Sequence, residues 1–137
     1  MTETATLYPV ILSVPEHARN LPVRPKGKYL SRYAREALAI SAQKSGVKIG
    51  RLQKDTEGAP VPSGGIYWSL THKPMYVGAV VGLSRVGIDI EKINSRSNVL
   101  FKKTAGPDEW ALGGYPSWEL FYRYWTSKEA VVKAAGK

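Results

Sequence analysis

Hydrophobic and polar positions alternate with two different periods along this chain. From Thr6 to Val14 the residues are β-rich, and Pro9 within them predicts an edge strand or an interruption. Residues 15–28, rich in proline and charge, read as loop. From Tyr29 to about Gln43 the apolar or small positions Leu30, Tyr33, Ala34, Ala37, Leu38 and Ser41 recur every three or four residues. That spacing predicts an amphipathic helix with Arg32, Arg35 and Glu36 on its polar side, stopped by Gly46. A short strand is expected over Ile49–Lys54 and a loop over Asp55–Gly65. Three strands should follow as an antiparallel meander, Ile66–Leu70, Tyr76–Leu83 and Val86–Glu91, with a break at Thr71–Pro74 and a turn at Ser84–Arg85. Beyond the polar stretch 93–97, Val99–Thr104 reads as a short helix ended by Ala105-Gly106-Pro107. Ser117–Ala135 carries the longest helical pattern, with Leu120, Phe121, Tyr124, Trp125, Val131, Val132 and Ala135 on or near one face. The class is α+β with an antiparallel sheet.

Composition narrows this little but usefully. With 137 residues, 43% of them hydrophobic, the chain can form a modest folded core and is too apolar to be disordered. It has no cysteine, which excludes a disulfide framework and thiolate zinc sites. Met1-Thr2-Glu3-Thr4 lacks the basic-then-apolar order of a signal peptide, and the longest apolar run, Met75–Leu83, is too short to cross a bilayer. A cytoplasmic protein is expected. The formal net charge is +9, and residues 24–54 hold nine basic side chains against one acid, Glu36. Such a field attracts polyanions, whether nucleic acid, anionic lipid, phosphorylated cofactor or acidic protein, and is equally compatible with a solvated face that has no ligand.

Three short patterns carry candidate chemistry. Asp89 and Glu91 alternate with Ile88 and Ile90, so in an extended segment both carboxylates share one face. They fit either a wet strand face or a hard cation such as Mg²⁺. Trp125, Glu129 and Lys133 are spaced by four along one helix face. An ordinary Glu–Lys ion pair would explain the last two, and Thr126 with Glu129 also matches a capping box. His72 stands among Ser69, Thr71 and Lys73, whose hydroxyls and ammonium suit phosphate oxygens, although a lone loop histidine is usually just a satisfied polar residue. His17 has no such company.

In order, Ser69-Leu-Thr-His72, Gly87-Ile-Asp-Ile-Glu91 and Trp125-Thr-Ser-Lys-Glu-Ala-Val-Val-Lys133 resemble the 4′-phosphopantetheinyl transferase superfamily. The arrangement is similar to the longer type, which activates peptide, polyketide and siderophore synthetases. The resemblance runs from about Lys28 to Lys137. It implies a pseudo-duplicated α+β fold with a first half over 1–91 and the start of a second over 92–137. Because the chain ends just after the last motif, the second half is expected to be incomplete, leaving the helix 117–135 open to self-association.

The resemblance implies a Mg²⁺-dependent enzyme of the holo-acyl-carrier-protein synthase type. It would transfer 4′-phosphopantetheine from coenzyme A to a serine of an acyl or peptidyl carrier protein. It further implies that Asp89, Glu91 and Glu129 ligate Mg²⁺, that Lys133 and Lys128 stabilise the departing 3′,5′-ADP, and that Arg32, Ser69 and His72 bind the adenosine phosphates. Glu109 would accept the serine proton, with a plain surface charge as its alternative. Ala59 stands where the family often has lysine, which removes one phosphate contact. Two other readings remain at this stage: a coenzyme A or carrier-protein binding module without turnover, and a basic nucleic-acid-binding domain. The last leaves the Asp-x-Glu and Trp-x-x-Lys-Glu spacings unexplained.

Overall fold

A computed structural model of the chain describes residues 6–93, 99–112 and 117–136. Its three-stranded antiparallel sheet has β1 (Val10–Ser13) and β4 (Tyr67–His72) on either side of β5 (Tyr76–Gly82). A short hairpin, β2 (Gln53–Lys54) with β3 (Pro60–Val61), stands apart from it. The helices are α1 (Glu16–Arg19), α2 (Val23–Ser45), α3 (Val99–Thr104), α4 (Pro107–Leu112) and α5 (Trp118–Ala134).

The predicted helix is present but begins earlier, at Val23, and α1 occupies part of the expected loop. Pro22 caps α2 and Pro25 sits in its first turn, where the backbone N–H groups have no helical partner anyway, so proline costs little there. Gly46 ends α2 in the left-handed conformation, φ +70°. Its N–H reaches the Gln43 carbonyl and Val47 N–H reaches that of Ala42, a closure that suits glycine. Leu30, Ala34, Ala37, Leu38 and Ala42 of α2 pack with Val10, Trp68, Val77, Ala79 and Val81 on one face of the sheet. This layer holds the larger core.

The meander is corrected. Residues 86–91 form no strand, because β5's second edge is already taken by β1, with Val10 opposite Ala79 and Ser13 opposite Tyr76. The edge-strand expectation for the segment containing Pro9 holds, as β1 lies at the margin of the sheet. The displaced segment instead lies extended across the sheet face away from α2. A side chain at Gly78 would meet Ile90 Cδ1 at 2.7 Å and Ile88 Cδ1 at 3.4 Å. Ser69 Oγ accepts a hydrogen bond from Ile88 N–H at 3.1 Å. The alternation of Ile88 and Ile90 against Asp89 survives without the ladder.

The helix α4 is a second correction. Pro107 breaks α3 but then serves as the first residue of α4, with Asp108 and Glu109 in the favourable acidic first turn. Ser117 caps α5 by accepting from Leu120 N–H at 3.1 Å. Trp110, Phe121 and Tyr122 form a smaller aromatic core with Ala105, while Val131 and Val132 stay exposed. Among the described residues no helix is long and apolar enough to cross a membrane.

Candidate active site

The C-terminal third of α5 meets the sheet through a glycine. A Cβ at Gly87 would collide with the Ala130 carbonyl oxygen and lie 2.8 Å from Ala134 N, so only glycine allows this approach of the backbones. Glycine inside an extended apolar pattern is a recognised sign of close backbone approach, and the first residue of Gly-Ile-Asp-Ile-Glu carried that sign.

That contact delivers Lys133 into the seam. Its ammonium donates to the Ile88 carbonyl at 2.8 Å and the Leu70 carbonyl at 3.4 Å, and stands 3.5 Å from Asp89 Oδ1. The Asp89 side chain is 6% exposed, and its other oxygen, Oδ2, is buried with no hydrogen-bond partner among the described residues. A buried carboxylate oxygen without a donor is costly, so this atom calls for a cation or donor from outside. Glu91 is engaged differently: its Oε1 accepts from Lys73 Nζ at 3.0 Å.

Glu129 lies half-buried one turn before Lys133 on α5. Thr126 is not a helix cap; it sits inside α5 with its hydroxyl on the Tyr122 carbonyl at 2.7 Å, which removes the capping-box explanation. Tested against a hard divalent ion, Asp89 fits, since it offers an unpartnered oxygen of the preferred type. Glu91 is held by Lys73, and among the described residues no three carboxylate or imidazole groups gather closely enough to hold a metal. Asp89 thus offers a free oxygen, but among the described residues the expected carboxylates do not gather into a metal-holding cluster.

Lys133 also lines two adjoining cavities. One, of about 340 Å³, runs between Ala59, Pro60, Tyr67, Arg85 and the end of α5. The other, of about 270 Å³, is bordered by Lys54, Gly58, Ser69 and Leu70. The β2–β3 turn that forms their outer wall is tied by Asp55, whose Oδ1 accepts from Glu57 and Ala59 N–H at 2.9 Å. His72 ends β4 nearby, and its pKa is lowered by partial burial first, then by the charges of Lys54, Lys73 and Lys133. The groove is thus basic, with a nearby histidine whose pKa is held down by partial burial and then by its cationic neighbours. Lys54 and Arg85 were not assigned to it from sequence; their only signal was the run of basic residues and the flank of the Gly-Ile-Asp pattern.

Of the remaining expected site residues, Ser69 borders the groove and the others fall elsewhere. Ser69 is buried and anchors the 86–91 segment, keeping its own hydroxyl hydrogen for a further acceptor. Arg32 is exposed on α2, the layer across the sheet from Asp89. Lys128 binds the Thr104 carbonyl at 2.7 Å and pairs with Glu109 Oε2 at 3.0 Å, clamping α3, α4 and α5 together. Glu109 also accepts from Gly106 N–H, and the Lys128 hydrogen bond followed by this backbone bond holds its pKa below the usual carboxylate value. Tyr124 donates its hydroxyl to the Glu109 carbonyl, completing the clamp.

Residues 85–137 match the family model of the 4′-phosphopantetheinyl transferase superfamily. The chain is also 31% identical over 105 residues to 4′-phosphopantetheinyl transferase HetI of Nostoc sp. (strain PCC 7120 / SAG 25.82 / UTEX 2576), an alignment covering 66% of this chain and 44% of that protein. The chain thus spans less than half the length of the curated relative it matches. The family match begins at Arg85 and takes in Gly87, Asp89, Glu91 and Lys133, the residues that make the seam. Over residues 85–137, and across the longer alignment, the chain is thus similar to 4′-phosphopantetheinyl transferases.

Proposed function

We propose that this chain carries the coenzyme A-binding side of a 4′-phosphopantetheinyl transferase of the longer type, working in the cytoplasm on a serine of an acyl or peptidyl carrier protein. Residues 1–91 form one half of the fold and 92–137 begin the other. The observation that carries the reading is the seam at Lys133: an ammonium fixed beside a buried carboxylate with a free oxygen, at the mouth of a basic groove.

Coenzyme A brings a diphosphate and a 3′-phosphate, which suit the cationic lining of Lys54, Arg85 and Lys133. Ser69 borders the same groove and can donate its hydroxyl hydrogen, and His72, within the field of Lys54 and Lys133, can take up a proton as anionic charge arrives. Asp89 and Glu91, with Glu129, are the residues that would hold Mg²⁺, which when bound would neutralise charge on the diphosphate. Lys133 would meet the negative charge that develops as the phosphoanhydride bond to 3′,5′-ADP breaks and the serine phosphoester forms, and its three oxygen neighbours keep it oriented before substrate arrives. Glu109 remains the candidate acceptor for the serine proton, weakened as a base by Lys128. Arg32, in the other layer, would contribute attraction for anions at longer range.

The test is mass spectrometry of an apo carrier protein incubated with this chain, coenzyme A and Mg²⁺. A mass gain equal to phosphopantetheine, lost in Asp89→Asn, is expected. Coenzyme A binding without any mass gain would favour a binding module of the same family. Strongly salt-dependent binding to any DNA, with no response to coenzyme A, would favour the nucleic-acid reading.

A further inference from the structure

The two carboxylates of the seam are each matched by an ammonium, but the two ammoniums are held unequally. Lys133 has three oxygen neighbours (Ile88 O, Leu70 O and Asp89 Oδ1) and is fixed by the docking of α5. Lys73 has one side-chain partner among the described residues, Glu91 at 3.0 Å, and is 38% exposed on the β4–β5 turn. The turn itself is set by backbone bonding, Lys73 N–H to the Tyr76 carbonyl at 2.8 Å, so the side chain can leave without disturbing it. Glu91 is 20% exposed and Asp89, two residues away, keeps one buried oxygen unpartnered.

We propose that Lys73 is a built-in competitor for the metal site: its ammonium occupies Glu91, so that Glu91 joins Asp89 around a divalent cation only when the Lys73–Glu91 pair parts. This rests on reading Asp89 and Glu91 as the carboxylates that take the cation. The physics is a simple exchange. An ammonium and a divalent ion cannot both be the close neighbour of the same carboxylate oxygen, and the free energy of the pair is subtracted from that of metal binding. An ion pair this exposed is weak, so the competition tunes affinity without abolishing it. In the structure Glu91 is turned to Lys73, its Oε1 accepting from the ammonium at 3.0 Å. Lys73 thereby sets how much cation the site holds before the diphosphate arrives.

The experiment is titration of the chain with Mn²⁺, a spin-active stand-in for Mg²⁺, followed by electron paramagnetic resonance without coenzyme A. Lys73→Met keeps the aliphatic stem and should tighten Mn²⁺ binding roughly fivefold, the most that an exposed pair of about 1 kcal/mol allows. Lys92→Met is the control for a general loss of positive charge, since Lys92 is exposed and lines a separate cavity together with Lys73 and Glu91. It should tighten binding distinctly less. Equal tightening in both variants, or none in Lys73→Met, overturns the competition. Asp89→Asn separates the two levels of the argument: if it abolishes Mn²⁺ binding while Lys73→Met changes nothing, the metal site stands and the role of Lys73 falls. If Asp89→Asn binds Mn²⁺ as well as the unaltered chain does, the metal reading itself fails.

Discussion

The layer built by α2 and the sheet and the layer built by α3, α4 and α5 are held together by different means. In the first, aliphatic and small side chains from α2, β1, β4 and β5 close a continuous core with Leu38, Val14, Val77 and Val81 almost wholly buried. In the second, four of the described residues form the buried core, and α5 carries Val131 and Val132 in solvent. Its C-terminal third is gripped instead by polar contacts and by the backbone approach at Gly87: Lys133 on two carbonyls, and Arg85 Nη1 on the Ala135 carbonyl at 3.4 Å. The difference teaches that the site is assembled where hydrophobic burial is weakest. Apolar packing sets the platform, and directional groups set the distance across it.

Substitutions should sort along that division. Leu38→Ala, inside the aliphatic core, should cost about 2–5 kcal/mol in chemical denaturation. A loss below about 1 kcal/mol would mean the core of the first layer is not what it is described to be. Gly87→Ala should cost about 1–3 kcal/mol through steric conflict with α5. Its distinguishing mark is faster amide exchange in α5 with α2 still protected, whereas uniform loosening would break the comparison. Val131→Ser should lie within about 0.5 kcal/mol of the unaltered chain, since that side chain is 68% exposed.

The electrostatic half of the comparison shows in pH. Free His72 has a lowered pKa and is neutral at pH 7. An incoming diphosphate favours its charged form and raises that pKa, so coenzyme A binding takes up a proton and tightens as pH falls toward the ordinary histidine range. Calorimetric titrations at pH 6 and pH 8 should show this slope, flattened in His72→Gln. An identical slope in the variant would place His72 away from the phosphates.

Much of this arrangement is readable in the sequence where a local signal decides the structure. Gly46 stops α2 and Ser117 starts α5 as their local signals indicate, while α2 begins at Val23, upstream of the expected Tyr29, and α1 and α4 carried no periodic signal. The Val86–Glu91 segment misleads because alternation looks the same in a ladder and in an extended chain laid over a sheet; only the arrival of β1 at the second edge of β5 distinguishes them. Pro107 misleads because proline is read as a stop and here also opens a helix. Within the site, Asp89 and Lys133 are both visible as motif residues, yet their pairing joins distant parts of the chain. The Lys73–Glu91 and Lys128–Glu109 pairs have no periodic signature at all, since each depends on how separate elements dock.

The central claim is that the seam at Lys133 receives the phosphates of coenzyme A. Isothermal titration of coenzyme A into the unaltered chain, Lys133→Met and Arg35→Gln tests it most directly, with α5 amide protection confirming that each variant is folded. Arg35 is exposed on α2 in the opposite layer and provides the charge control. The account predicts at least a roughly tenfold weakening for Lys133→Met, the scale of a lost charge-assisted hydrogen bond, and a much smaller change for Arg35→Gln. Unchanged affinity in Lys133→Met, or equal weakening in both variants, would contradict it.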